Sequence, residues 1–122
     1  MALPLNAKVE AAPNFLATLE AAHQFFRLQD ADSADTRLAK LREMVAVLQW
    51  SPAGGRPARF MAATSIQARL RLEAVTNLAK QAGLPDLREY VVGQHIVLYA
   101  HSETDVVLLA IKHQRQLVYS AA

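Results

Sequence analysis

Cysteine is absent from this chain, and with it go disulfide staples, thiolate nucleophiles and cysteine-based zinc or iron–sulfur sites. The absence fits a reducing compartment, so the cytoplasm is the expected location. Glycine is scarce, four residues in 122, and its one pair stands in Gly54-Gly55-Arg56-Pro57. That run lacks the Lys-Ser/Thr of a phosphate-cradling loop and reads as a turn. No serine sits in a G-x-S-x-G setting, which leaves hydrolase chemistry of that type unsupported. The four histidines, His23, His95, His101 and His113, fall on different predicted elements with no partner at i+3 or i+4. Neither a metal nor a bound cofactor is expected from that spacing. No stretch approaches the roughly 18 consecutive apolar residues of a membrane span. Met1-Ala2-Leu3-Pro4-Leu5 lacks the basic-then-apolar signature of a secretory signal.

What is present is enough apolar residue to fill a core: 52% hydrophobic against 20% charged. At 122 residues one domain spanning 1–122 is the expectation. Net charge is only +2, but it is unevenly spread, since eight of the thirteen basic residues follow Ala53 against five of the eleven acidic ones. The back half is therefore the cationic half, where a charged partner would be met.

Periodicity divides the chain into two textures. Leu5 to Ala11 alternates apolar with polar, as a half-buried strand does. Pro13 suits the first turn of a helix in which Phe15, Leu16, Leu19, Ala22 and Phe26 recur at helical spacing to about Leu28. Asp35 or Thr36 can cap a second helix carrying Leu38, Leu41, Val45 and Leu48 on one face and stopped by Ser51-Pro52. So short a connection predicts an antiparallel helical hairpin. A third helix is predicted from Ser65 to Ala82, with Ile66, Leu70, Ala74 and Leu78 as a stripe facing the core and Gly83 as its stop. Beyond Pro85 the pattern turns to strands at Leu87–Val92, His95–Ala100 and Val106–His113. Their nearly continuous apolar runs predict strands covered on both faces. The expected fold class is α+β: an antiparallel sheet of about four strands, covered on one face by the helical hairpin, with an extra inserted helix.

Arg56, Arg59, Arg69, Arg71, Arg88, Lys112 and Arg115 all lie in the back half. Guanidinium groups suit phosphate or carboxylate through paired hydrogen bonds. Arg69 and Arg71 read best as a solvated helix face, whereas Arg56, Arg88, Lys112 and Arg115 are candidates for binding a phosphate or a macromolecular target. The solvated alternative for Arg88 is a surface pair with Glu89 or Asp86.

The order and spacing of the last third resembles the RelE/ParE superfamily of toxins from type II toxin–antitoxin, or plasmid stabilisation, modules. The residues that carry the likeness are Leu87-Arg88-Glu89-Tyr90-Val91-Val92-Gly93, then His95 to a strand closing on Tyr99, then Val106 to Ile111 running into His113-Gln114-Arg115. The first strand, the hairpin and the turn at Gly55-Arg56-Pro57 agree in order. The segment from about Met61 to Gly83 departs from the pattern as a longer connection. Ile96 and Ala100 stand where many relatives carry arginine, and Gln116-Leu117 replaces the arginine and aspartate that often follow H-x-R.

The resemblance implies two modes of action. Members similar to RelE are metal-independent messenger-RNA endoribonucleases; in that case His113 is cast as base or acid, Arg88 and Arg115 as phosphate clamps, and Tyr119 as a stacking or proton-donating group. Members similar to ParE bind and poison DNA gyrase and need no catalytic set. The missing arginines and sparse lysines favour the ParE-like mode. Both imply a cognate antitoxin as partner, with gyrase or the ribosome and its message as target, and no membrane. A degenerate, non-toxic interaction module is the third reading, with a homodimer through the inserted helix among its partners.

Overall fold

The computed structural model describes residues 6–29, 31–58, 66–84 and 86–114. Strand β1 (Lys8–Ala11) leads into helices α1 (Pro13–Gln29) and α2 (Ala31–Trp50). A two-residue strand β2 (Arg56–Pro57) and helix α3 (Ile66–Ala82) precede β3 (Asp86–Val92), β4 (His95–His101) and β5 (Asp105–His113). The strands form one sheet in the order β1-β5-β4-β3-β2. The expected α+β architecture is therefore present, with five strands in place of about four. β1 runs parallel to β5 while the other pairs are antiparallel. Leu5, predicted within the first strand, lies outside the described residues.

Local chemistry accounts for most boundaries. Pro13 occupies the first helical position of α1, where a missing N–H costs nothing. α2 begins at Ala31, about a turn before the predicted caps, so Asp35 and Thr36 sit inside the helix on its exposed side. It stops at Trp50, because Pro52 cannot continue it. Gly83 ends α3 with φ of 71°, a left-handed stop that strains any other residue. Gly93 (φ 59°) takes the first central position of the two-residue turn joining β3 to β4.

The sheet is covered on both faces, as the apolar runs imply. The hairpin lays Phe15, Leu41, Met44 and Leu48 on Val92, Val97, Tyr99, Val106, Leu108 and Ile111. On the opposite face Ala79, with Leu78 and Leu84 beside it, packs on Ile96, Leu98, Ala100, Leu109 and Ala110. α3 thus meets the face that the hairpin leaves bare. Only the C-terminal end of its predicted stripe is seen to reach the sheet: Leu70 is 61% exposed, which corrects the expectation that it faces the core. The side chains of Ile66, Arg69 and Arg71 lie outside the described residues.

Two irregularities set where the polar groups of β5 point. In the β4–β5 ladder Leu98 pairs with Ala110 but Tyr99 with Leu108, so Leu109 is a bulged extra residue. The bulge turns Leu109 and Ala110 to the same face and reverses the alternation beyond them, which sends Lys112 to the α3 face and His113 to the hairpin face. Past the end of β1, the outward polar groups of β5 are met by α1 instead of by a strand. The buried Asn14 amide donates to Leu109 O at 2.9 Å, and Ile111 N–H donates to Thr18 Oγ1 at 3.1 Å. Those bonds remove the unpaired edge that a short β1 leaves behind.

Candidate functional site

The cationic residues of the back half divide between the two faces of the sheet. On the α3 face, β2 pairs with β3 so that Arg56 lies opposite Glu89. Arg56 Nε is 3.6 Å from Glu89 Oε1, with the arginine side chain 34% and the glutamate 2% exposed. Lys112, two strands away, is buried on the same face. Burial pushes its ammonium below the usual lysine value; Glu89 opposes that shift, and Arg56 adds to it. The three form one cluster, two cations around one carboxylate, which desolvation alone would make costly. Sequence reasoning proposed Arg56 and Lys112 but missed the carboxylate between them, having offered Glu89 only as a surface partner for Arg88.

Arg88 points the other way. It pairs with Tyr99 on the hairpin face, and its Nη1 donates to the Gly55 carbonyl at 3.0 Å. The Gly55 N–H in turn donates to Tyr99 Oη at 2.8 Å. Both polar groups of one peptide residue are thereby clasped to the sheet, which fixes the turn after α2 and the edge strand that carries Arg56. Tyr99 is fully buried, and burial raises its hydroxyl above the usual tyrosine value despite the Gly55 bond. Glycine is required in this clasp: a Cβ at Gly55 would stand 2.4 Å from Glu89 O and 2.7 Å from Tyr99 Oη.

His113 shares the hairpin face but not the neighbourhood. It pairs with His95 at the far end of β4, four residues from Tyr99. At about 3.3 Å per residue and 4.8 Å per strand, that separates it from Arg88 by roughly 13 Å along the sheet and 10 Å across it. Its Nε2 lies 3.4 Å from Gln94 Oε1, and its ring meets the His95 ring edge-on. Arg88, Lys112 and His113 therefore do not converge: two are on one face far apart, and the third is on the other. Arg59, Arg115 and Tyr119 lie outside the described residues. Among the described residues no group of three or more metal-ligating side chains gathers, and no helix is long and apolar enough to cross a membrane.

Comparison with known proteins supplies the lineage. The family of the ParE toxin of type II toxin–antitoxin system, parDE, matches residues 9–118. The chain belongs to the ParE toxin family. The matched range spans the segment that carries α3. Among solved structures, a chain of the chromosomal ParDE toxin–antitoxin system from P. aeruginosa is similar in fold, with a TM-score of 0.58 over 88% of this chain and 95% of that one. Its sequence identity is 13%, so this likeness speaks for the fold alone. A comparison with curated protein sequences finds no match.

Proposed function

We propose that this toxin acts as a stoichiometric poison, binding DNA gyrase and inhibiting it, and that a cognate antitoxin silences it. Family membership supports the toxin role, and one observation carries the mode: Arg88, the first candidate phosphate clamp, is bonded to Gly55 O and stands far from His113. Metal-free cleavage of RNA needs a base, an acid and cations gathered within hydrogen-bond reach of one phosphate. A binding poison needs only a shaped, charged surface. On the α3 face Arg56, the one partly exposed member of the cluster with the buried Glu89 and Lys112, supplies charge for such a contact. For the antitoxin, the outer side of α2 presents Val47 and Trp50, apolar anchors of the kind that a partner helix covers.

Inducing the chain in a bacterial host, alone and with its neighbouring antitoxin, tests this reading. Growth arrest with intact messages and loss of negative supercoiling, reversed by the antitoxin, is the expected outcome. Arrest with cut messages that His113→Ala abolishes would establish the ribonuclease in its place, and full growth would leave a non-toxic module.

A further inference from the structure

Strand β1 closes one end of the sheet, with β5 on its inner side and, among the described residues, no strand on its outer side. Lys8 N–H donates to Thr104 O at 2.8 Å and Ala12 N–H to Leu108 O at 2.9 Å. The parallel ladder therefore takes up the backbone groups of the even-numbered residues and turns the N–H and C=O of Val9 and Ala11 outward. Ala7 is in the same outward phase, and its N–H donates to Gln49 O at the end of α2 at 2.8 Å. Among the described residues nothing takes up the outward groups of Val9 and Ala11.

Open edges are commonly blunted by an uncompensated charge, a proline or a bulge. β1 carries no proline, and its register with β5 has no bulge. Its charges cancel, since Lys8 Nζ lies 2.7 Å from Glu10 Oε1. Val9 packs into the hairpin core and Ala12 against the opposite cluster, so Lys8 and Glu10 project on the α3 side. The run Lys8-Val9-Glu10 is also complementary to itself. When two copies pair antiparallel with Val9 opposite Val9, Lys8 of each falls opposite Glu10 of the other, at the close, non-hydrogen-bonded positions where opposite charges attract. Val9 exchanges both of its bonds with its counterpart, and Ala11 N–H reaches the Ala7 carbonyl across the axis. The register with Glu10 opposite Glu10 sets like charges face to face and is disfavoured.

A strand of four residues gives a small contact, so its flanks count. Trp50, 77% exposed, follows the Gln49 that holds Ala7, and Leu16, 55% exposed, lies one helical turn past Ala12. Antiparallel pairing puts the start of one β1 beside the end of the other, which brings Trp50 of each copy toward Leu16 of its partner, with an aromatic anchor at each end of the contact. We propose that β1 docks on β1 of a second copy of this chain, joining two five-stranded sheets into one across a two-fold axis. Trp50 is also an anchor proposed for the antitoxin, so the dimer is a state of the free toxin.

Sedimentation velocity of the purified full-length chain, without antitoxin and over a concentration series, tests the pairing. Dimers that dissociate on dilution are expected. Ala11→Pro removes an outward N–H that no described group uses, a substitution that an edge strand tolerates; checked for fold by circular dichroism, it should be monomeric throughout. Lys8→Glu and Glu10→Lys each act twice across the axis, so each should weaken self-association at least tenfold. An equimolar mixture of those two variants should recover dimers, because their reversed charges complement each other. A wild-type chain that stays monomeric at the highest concentration, undiminished dimers in folded Ala11→Pro, or a mixture no better than either variant alone would each overturn the pairing. Loss of antitoxin binding in Ala11→Pro beside a monomeric wild type would assign the edge to the antitoxin instead.

Discussion

At the scale of single residues, the Gly55 clasp is the most exposed to test. Tyr99→Phe keeps the ring but leaves the Gly55 N–H without its acceptor, a loss of about 1–3 kcal/mol if that donor stays buried. Gly55→Ala drives a methyl into the Glu89 carbonyl, and overpacking of that kind costs about 1–3 kcal/mol as well. Urea unfolding of both variants measures the two effects. Lys112 and Tyr99 also set opposite alkaline trends. Burial lowers the Lys112 value from 10.5, so the unfolded chain holds that proton to higher pH than the native one, and stability rises as pH climbs toward 10.5. Burial raises the Tyr99 value from 10.0, so the unfolded phenol ionises first, and stability falls above 10.0. Urea midpoints between about pH 8 and 11 should lose the rise in Lys112→Met and lose the fall in Tyr99→Phe.

At the scale of elements, burial separates positions that look equivalent in sequence. Leu48 of α2 is fully buried and Leu70 of α3 is 61% exposed, though both sit on apolar helical stripes. Leu48→Ala should cost about 2–5 kcal/mol, and Leu70→Ser should stay within about 0.5 kcal/mol, as thermal unfolding of the pair will show. The three helices and the three long strands were legible because their apolar residues recur with a clear period or in unbroken runs. What escaped was set by pairing between distant segments. Nothing local in Val106–His113 announces the bulge at Leu109, yet it decides that Lys112 joins Arg56 and Glu89 while His113 joins His95. Asn14 reads as an ordinary first-turn residue, but it is buried because it replaces a missing strand. Arg56 and Arg88 were readable as candidates from residue type; that they face opposite sides, with different partners, is decided only by the β2–β3–β4 register.

At the scale of the whole molecule, a sheet covered by a helical hairpin on one face and by α3 on the other carries its cations in separate places. Arg88, Lys112 and His113 stand apart on it, which is the observation behind the proposed binding mode. The most direct measurement is gyrase-driven supercoiling of relaxed plasmid with purified chain, alongside His113→Ala and Arg56→Ala. Inhibition should titrate with toxin concentration, be reversed by the antitoxin, survive His113→Ala and weaken with Arg56→Ala. Unimpaired supercoiling by a folded chain that still arrests growth would contradict it.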